Sequence, residues 1–135
     1  DFTDEQWREG SARYFARLSQ VVGMVYVIVG TPWLSFDGPS CIERMMGEDR
    51  KLPTQVCRET LENATQTNVA NNLREAARRY SNVVVLDPSM LVCPNNECVA
   101  MTNDGQMVFR DTQHLTDSFV RSIAPKLEQM FLPKP

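Results

Sequence analysis

The stretch Met24-Val25-Tyr26-Val27-Ile28-Val29 constrains this chain more than any other. It is continuously apolar, mostly β-branched, and has no polar residue at alternate positions, which predicts a strand buried on both faces. Gly30-Thr31-Pro32 stops it. Upstream, Trp7, Tyr14, Phe15, Leu18 and Val22 recur at helical spacing, with Arg8, Arg13 and Arg17 mostly off that face. A helix running into a doubly buried strand points to a parallel α/β sheet. The pattern then repeats. Residues 54–80 read as helix, with an Asn- and Thr-rich middle that allows one break. Val83-Val84-Val85-Leu86 reads as a second buried strand, closed by Asp87-Pro88. With 135 residues, the expectation is a single domain over 1–135, large enough to bury a core.

The ends of these elements are also marked. Thr3 is placed to cap the first helix with Gln6 as its capping-box partner, Phe2 and Trp7 occupy the hydrophobic-staple positions, and Asp4 and Glu5 suit the positive end of the helix dipole. Gly23 is the expected helix stop. Residues 31–54 are punctuated by Pro32, Gly38, Pro39, Gly47 and Pro53 and read as an irregular excursion, with one helical turn at 41–46. Loops of this length are often functional, because ligands of parallel sheets bind beyond the carboxyl ends of the strands; a loop merely stapled by Cys41 needs no ligand.

Cysteines stand at 41, 57, 93 and 98. The sequence-local pairing is Cys41–Cys57 with Cys93–Cys98, each closing an irregular, proline-bearing stretch whose ordering is otherwise costly. The alternatives are free thiols, or a zinc site for which only Cys93-x4-Cys98 comes near a knuckle. Disulfides imply an extracytoplasmic compartment. A net charge of −3 offers no basic footprint, so nucleic acid is not an expected partner. The longest apolar run, Val21 to Val29, is too short to span a bilayer, and any targeting segment is expected to lie outside this chain. Asn63-Ala64-Thr65 matches a glycosylation acceptor, a triplet common by chance, and is assigned no function.

Thr102-Asn103-Asp104-Gly105 between two apolar runs is a hairpin signal and delivers the chain to Phe109-Arg110-Asp111-Thr112-Gln113-His114-Leu115-Thr116. His114 is the only histidine. If the backbone turns sharply, Asp111 can hold its Nδ1–H and leave Nε2 free as a general base; the competing reading is a histidine that only caps or packs at a helix start. Thr116 is placed to cap a last helix with Asp117 in its first turn, Leu115 and Val120 at staple positions and Phe119, Ile123, Leu127, Met130 and Phe131 on its buried face. Pro125 predicts a kink or restart, and Pro133 and Pro135 end the chain.

Taken in order, these features resemble the SGNH (GDSL-like) hydrolase domain fused behind the membrane acyltransferase-3 domain of bacterial envelope-sugar O-acyltransferases. The resemblance spans most of residues 7–131. It is carried by the strand ending in Gly30-Thr31-Pro32, the Phe36-Asp37-Gly38-Pro39-Ser40-Cys41 loop, Cys57, Asp87-Pro88, the Cys93…Cys98 loop and Asp111-x-x-His114-Leu115-Thr116, similar to the family's final Asp-x-x-His-Leu-Ser block.

It implies a flavodoxin-like three-layer α/β fold with helices on both faces of a parallel sheet. It also implies a Ser-His-Asp site with catalytic Asp111 and His114, His114 being the base and Asp111 its orienter. No cofactor and no metal are implied. The implied partners are an acyl donor, an envelope polysaccharide or glycan acceptor, and the membrane acyltransferase domain. The implied location is the periplasmic or extracellular face of a bacterial membrane, tethered through an upstream transmembrane domain.

The chain departs from the family in having no Gly-Asp-Ser block. Gly10-Ser11 falls inside the first helix, and Ser89 does not follow a strand as a tight elbow. The family's Tyr before the Asp is replaced by Phe109-Arg110, and its Gly-Ala after His-Leu-Ser by Asp117-Ser118-Phe119. The expectation is therefore the C-terminal part of an SGNH domain, with the first strand, serine and oxyanion residues encoded upstream. The sequence leaves an esterase with the same site, or a non-catalytic binding module, as the other readings.

Overall fold

A computed structural model describes residues 2–49, 53–64 and 67–132. Thr65 of the glycosylation-like triplet, Pro133 and Pro135 lie outside the described residues. In chain order the elements are α1 (Asp4–Leu18), β1 (Val25–Ile28), α2 (Gly38–Arg44) continued by a π turn (Met45–Asp49), and α3 (Pro53–Val56). Then come β2 (Arg58–Thr60), α4 (Leu61–Ala64), α5 (Thr67–Ala77), β3 (Val83–Leu86), α6 (Ser89–Val92), a 3-10 turn (Pro94–Asn96), β4 (Glu97–Val99) and α7 (Asp117–Gln129). The chain has an α/β fold with a small parallel sheet, and it divides into two compact units.

The first unit comprises residues 1–30 and 66–87. β1 and β3 pair in parallel, Val25 opposite Val83 and Ile28 opposite Leu86, as the helix–strand repetition predicts. Val25, Val27, Val83 and Val85 share one face, and there Ala12 and Phe15 of α1 and Ala76 and Ala77 of α5 pack against them. The capping box at Thr3 and Gln6 forms, and Phe2 meets Trp7 edge-on. The apolar face read at helical spacing on α1 is core only in part. Phe15 is buried, but Tyr14 is 62% exposed and Trp7 and Val22 are exposed as well. α1 stops at Leu18 with Ser19 as its cap, well before Gly23, so Val21 and Val22 leave the helical face. β1 is likewise not buried on both faces: Tyr26 and Ile28 are exposed, because both packed helices lie on the valine face. A groove of about 820 Å³ runs along α1, lined by Phe2, Trp7, Tyr14, Phe15, Val27 and Leu73 among others.

The second unit comprises residues 31–65 and 88–135. The helix expected over 54–80 is broken here by β2. Cys57 is fully buried and bonded to Cys41, and Arg58 and Thr60 pair antiparallel with Val99 and Glu97 of β4. The tie and the ladder override a modest local helix preference. The helical turn expected at 41–46 is longer and starts earlier, because Asp37 accepts a hydrogen bond from the Ser40 N–H at 2.9 Å and Pro39 sits in the first turn of α2. The second disulfide joins Cys93 and Cys98, with both residues fully buried. Both pairings are the sequence-local ones. Thr102 and Gln106 close the expected turn, where Gly105 takes φ +87°, a conformation that favours glycine. α7 is capped by Thr116 and runs through Pro125 without a restart; Pro125 is on the exposed side, where the carbonyl its missing N–H leaves free is open to solvent.

Candidate active site

The site begins with a backbone problem. After the hairpin the chain must reverse between Phe109 and Leu115, which bridge antiparallel, and Arg110 N–H donates to the His114 carbonyl at 2.9 Å. Behind this reversal the core is tight: Val108, Phe109 and Ala100 are fully buried, and Val108 N–H bonds the Ala100 carbonyl. Thr116 fixes the exit, its N–H donating to the Val108 carbonyl and its hydroxyl to the Met107 carbonyl at 2.5 Å, while the same hydroxyl caps α7 by accepting from Phe119 N–H.

Within the reversal, Asp111 turns back on its own backbone. Its Oδ1 accepts the N–H groups of Gln113 at 2.8 Å and His114 at 2.7 Å. Its Oδ2 lies 2.8 Å from Nδ1 of His114. Arg110 Nε stands 3.9 Å from the same oxygen. The Gln113 N–H, then the His114 N–H, with the imidazole adding to them, lower the Asp111 pKa to about 2. The group is therefore ionised at neutral pH and can only accept, so Nδ1 of His114 must carry the proton it shares with Oδ2. In the neutral ring that leaves Nε2 as the lone-pair nitrogen, without a hydrogen-bond partner among the described residues. The imidazole is about half exposed, with its side chain at 54% of full accessibility. A proton acceptor held in one tautomer and open to solvent on its free nitrogen can take a proton from a hydroxyl brought to it.

A segment far away in sequence clamps this turn. The Thr31 hydroxyl donates to the Gln113 carbonyl at 3.1 Å, and Leu34 N–H donates to the Thr112 carbonyl at 2.7 Å. Neither contact was legible beforehand, since partners some eighty positions apart share no local pattern. Asp37 stands near enough for the Asp111 charge to act against the Ser40 hydrogen bonds that lower its own pKa. No serine is placed against His114 in the hydrogen bonds of the described residues. No group of three or more His, Cys, Asp or Glu able to hold a metal occurs among the described residues, and all four cysteines are consumed by disulfides.

An α/β chain that presents an Asp-oriented histidine on a turn clamped by Thr31 and Leu34 has the makings of an acyl-transferring or ester-cleaving protein. Residues 2–129 match the family model described as the SGNH domain fused to AT3 domains, and the chain belongs to that family. Membership gives it esterase- or acyltransferase-type chemistry and a membrane acyltransferase domain as the family's fused companion. No curated protein and no solved structure matches the chain.

Proposed function

We propose that the chain carries the base half of a Ser-His-Asp site that transfers an O-acyl group, an acetyl, to a hydroxyl of a cell-envelope glycan. Residues 1–135 form the C-terminal part of one SGNH domain. The serine and its oxyanion donors come from the preceding part of the same domain in the full-length protein. The observation that carries this reading is the grip on Asp111: three donors fix one carboxylate, which fixes one tautomer of His114.

The chemistry follows from that tautomer. The serine hydroxyl attacks the acyl carbonyl of the donor while Nε2 of His114 takes its proton. Nε2–H then gives that proton to the departing donor group, leaving an acyl-serine. In the second half, a sugar hydroxyl loses its proton to Nε2 and attacks the ester, and the proton returns to the serine oxygen. Asp111 stays ionised throughout and stabilises the imidazolium that forms twice.

The first unit supports the idea of a larger, three-layer sheet. Each of its two strands pairs on one edge only among the described residues, and Tyr26 and Ile28 present an apolar face without a helix over it. The two disulfides support an extracytoplasmic location at the membrane that holds the acyltransferase domain. No helix among the described residues is long and apolar enough to cross a membrane. The exposure of the imidazole favours one second reading, an esterase in which water replaces the sugar hydroxyl.

A fluorophosphonate probe on the full-length protein tests the proposal. Serine labelling that disappears in His114→Ala is expected. An unlabelled wild type, or labelling indifferent to His114, favours a non-catalytic binding module instead.

A further inference from the structure

The five residues Thr31-Pro32-Trp33-Leu34-Ser35 form no regular element, yet they are pinned at four points. Thr31 and Leu34 bond the Asp111–His114 turn at the Gln113 and Thr112 carbonyls. Trp33 N–H donates to the Ala64 carbonyl at 2.6 Å, and Ser35 N–H donates to the Glu59 carboxylate at 2.5 Å. Pro32 and Leu34 are buried and supply the packing. Trp33, between them, is 46% exposed, and it is the one exposed Phe, Tyr or Trp of this unit among the described residues. A large indole in water is a poor use of apolar area when its neighbours already fill the core, and a rigid aromatic surface on a backbone tied to the turn of a reactive group can orient a ligand.

We propose that Trp33 is the stacking platform for the acceptor, holding a sugar ring of the glycan so that one hydroxyl reaches Nε2 of His114. The inference rests on the acyl-transfer reading above and adds to it the residue that sets acceptor binding. Sugar rings suit the position. Their C–H faces pack on the electron-rich face of an indole, while their hydroxyls stay free for polar partners and water. A backbone pinned both to the Asp–His turn and to α4 holds the ring at a fixed place relative to the base, which converts binding into orientation. Trp33 is one residue from Leu34, whose N–H holds the very turn that carries His114, so platform and base share one backbone clamp.

The test uses the full-length protein, its acyl donor, and the envelope polysaccharide of the producing cells after alkaline deacylation. Trp33→Leu keeps apolar bulk and removes the aromatic face; Trp33→Tyr keeps an aromatic face. Trp33→Leu is expected to raise the KM for the polysaccharide about tenfold, while kcat at saturating polysaccharide falls by less than about threefold. Trp33→Tyr is expected to restore most of the lost affinity. An active wild type whose KM is matched by Trp33→Leu overturns the assignment alone, as does a loss in Trp33→Leu that Trp33→Tyr does not recover. A wild type that transfers nothing to that polysaccharide overturns both this inference and the acyl-transfer reading beneath it.

Discussion

In the unit built from α1, β1, α5 and β3, every main element is regular, yet apolar side chains stand uncovered: Tyr14, Val21, Tyr26 and Ile28 all face solvent. In the other unit the elements are short and the chain is mostly turns, yet Cys57, Cys93, Cys98, Ala100, Val108 and Phe109 have no exposed surface at all. Regular secondary structure and closure are thus separate achievements. A two-stranded sheet covered on one face cannot exclude water from the other, however good its helices are. A loop-rich region can, if disulfides remove the entropy of its loops and one aromatic plugs the centre. The Asp–His pair sits in the closed unit, where its turn is tied to a rigid core. The open unit has the surface that further strands and helices would need.

The contrast is tested hardest at Phe109. Phe109→Ala should destabilise the protein by about 3–5 kcal/mol in urea denaturation, because the ring is fully enclosed and its cavity cannot collapse onto disulfide-tied neighbours. A cost under about 1 kcal/mol would show that this unit is no more closed than the other. Replacing Cys41 and Cys57 together by Ala should cost about 3 kcal/mol, the loop entropy released by opening a ring of this size. An unchanged denaturation midpoint would mean that the ladder between β2 and β4 closes the loop unaided.

A smaller effect is expected from acid. The Asp111 pKa is lowered on folding, so its contribution is fully present above the ordinary carboxylate range, near 3.9 for Asp, and is lost as pH falls toward its folded value of about 2. Asp111→Asn should therefore flatten the stability profile of the protein between about pH 4 and pH 2. A profile identical to the wild type would mean that the two backbone donors do not hold the carboxylate. The smallest effect belongs to the open unit. Ile28→Ser should shift the stability of the isolated chain by no more than about 0.5 kcal/mol, since the side chain is already wet. In the full-length protein the same change should cost clearly more if upstream elements cover that face, and equal costs in the two settings would argue against the larger sheet.

Much of this architecture was legible in the sequence because local chemistry writes it there. Thr3 with Gln6, Thr116 and Asp104-Gly105 act through neighbours a few residues away, and the two valine-rich strands are marked by their own composition. What was illegible acts at a distance. β2 hides inside a helical pattern because only Cys41 and β4 make Arg58–Thr60 a strand. The exposure of Tyr26 and Ile28 depends on which face the helices choose, and periodicity does not encode that choice. At the site, the Asp-x-x-His spacing shows that a pair can form; the clamp by Thr31 and Leu34, which holds the turn in place, joins positions that no window of sequence contains together.

The central claim is that Asp111 holds His114 in the tautomer protonated at Nδ1, with Nε2 free to accept a proton. Because the chain has a single histidine, one imidazole signal set reports on it in a 15N-labelled sample. The direct measurement is the two-bond 1H–15N correlation spectrum of His114 at about pH 8, where an ordinary histidine is neutral. The account predicts a protonated Nδ1 and a pyridine-like Nε2, with that pattern weakened in Asp111→Ala. A ring protonated mainly at Nε2, in the wild type as in Asp111→Ala, would contradict it.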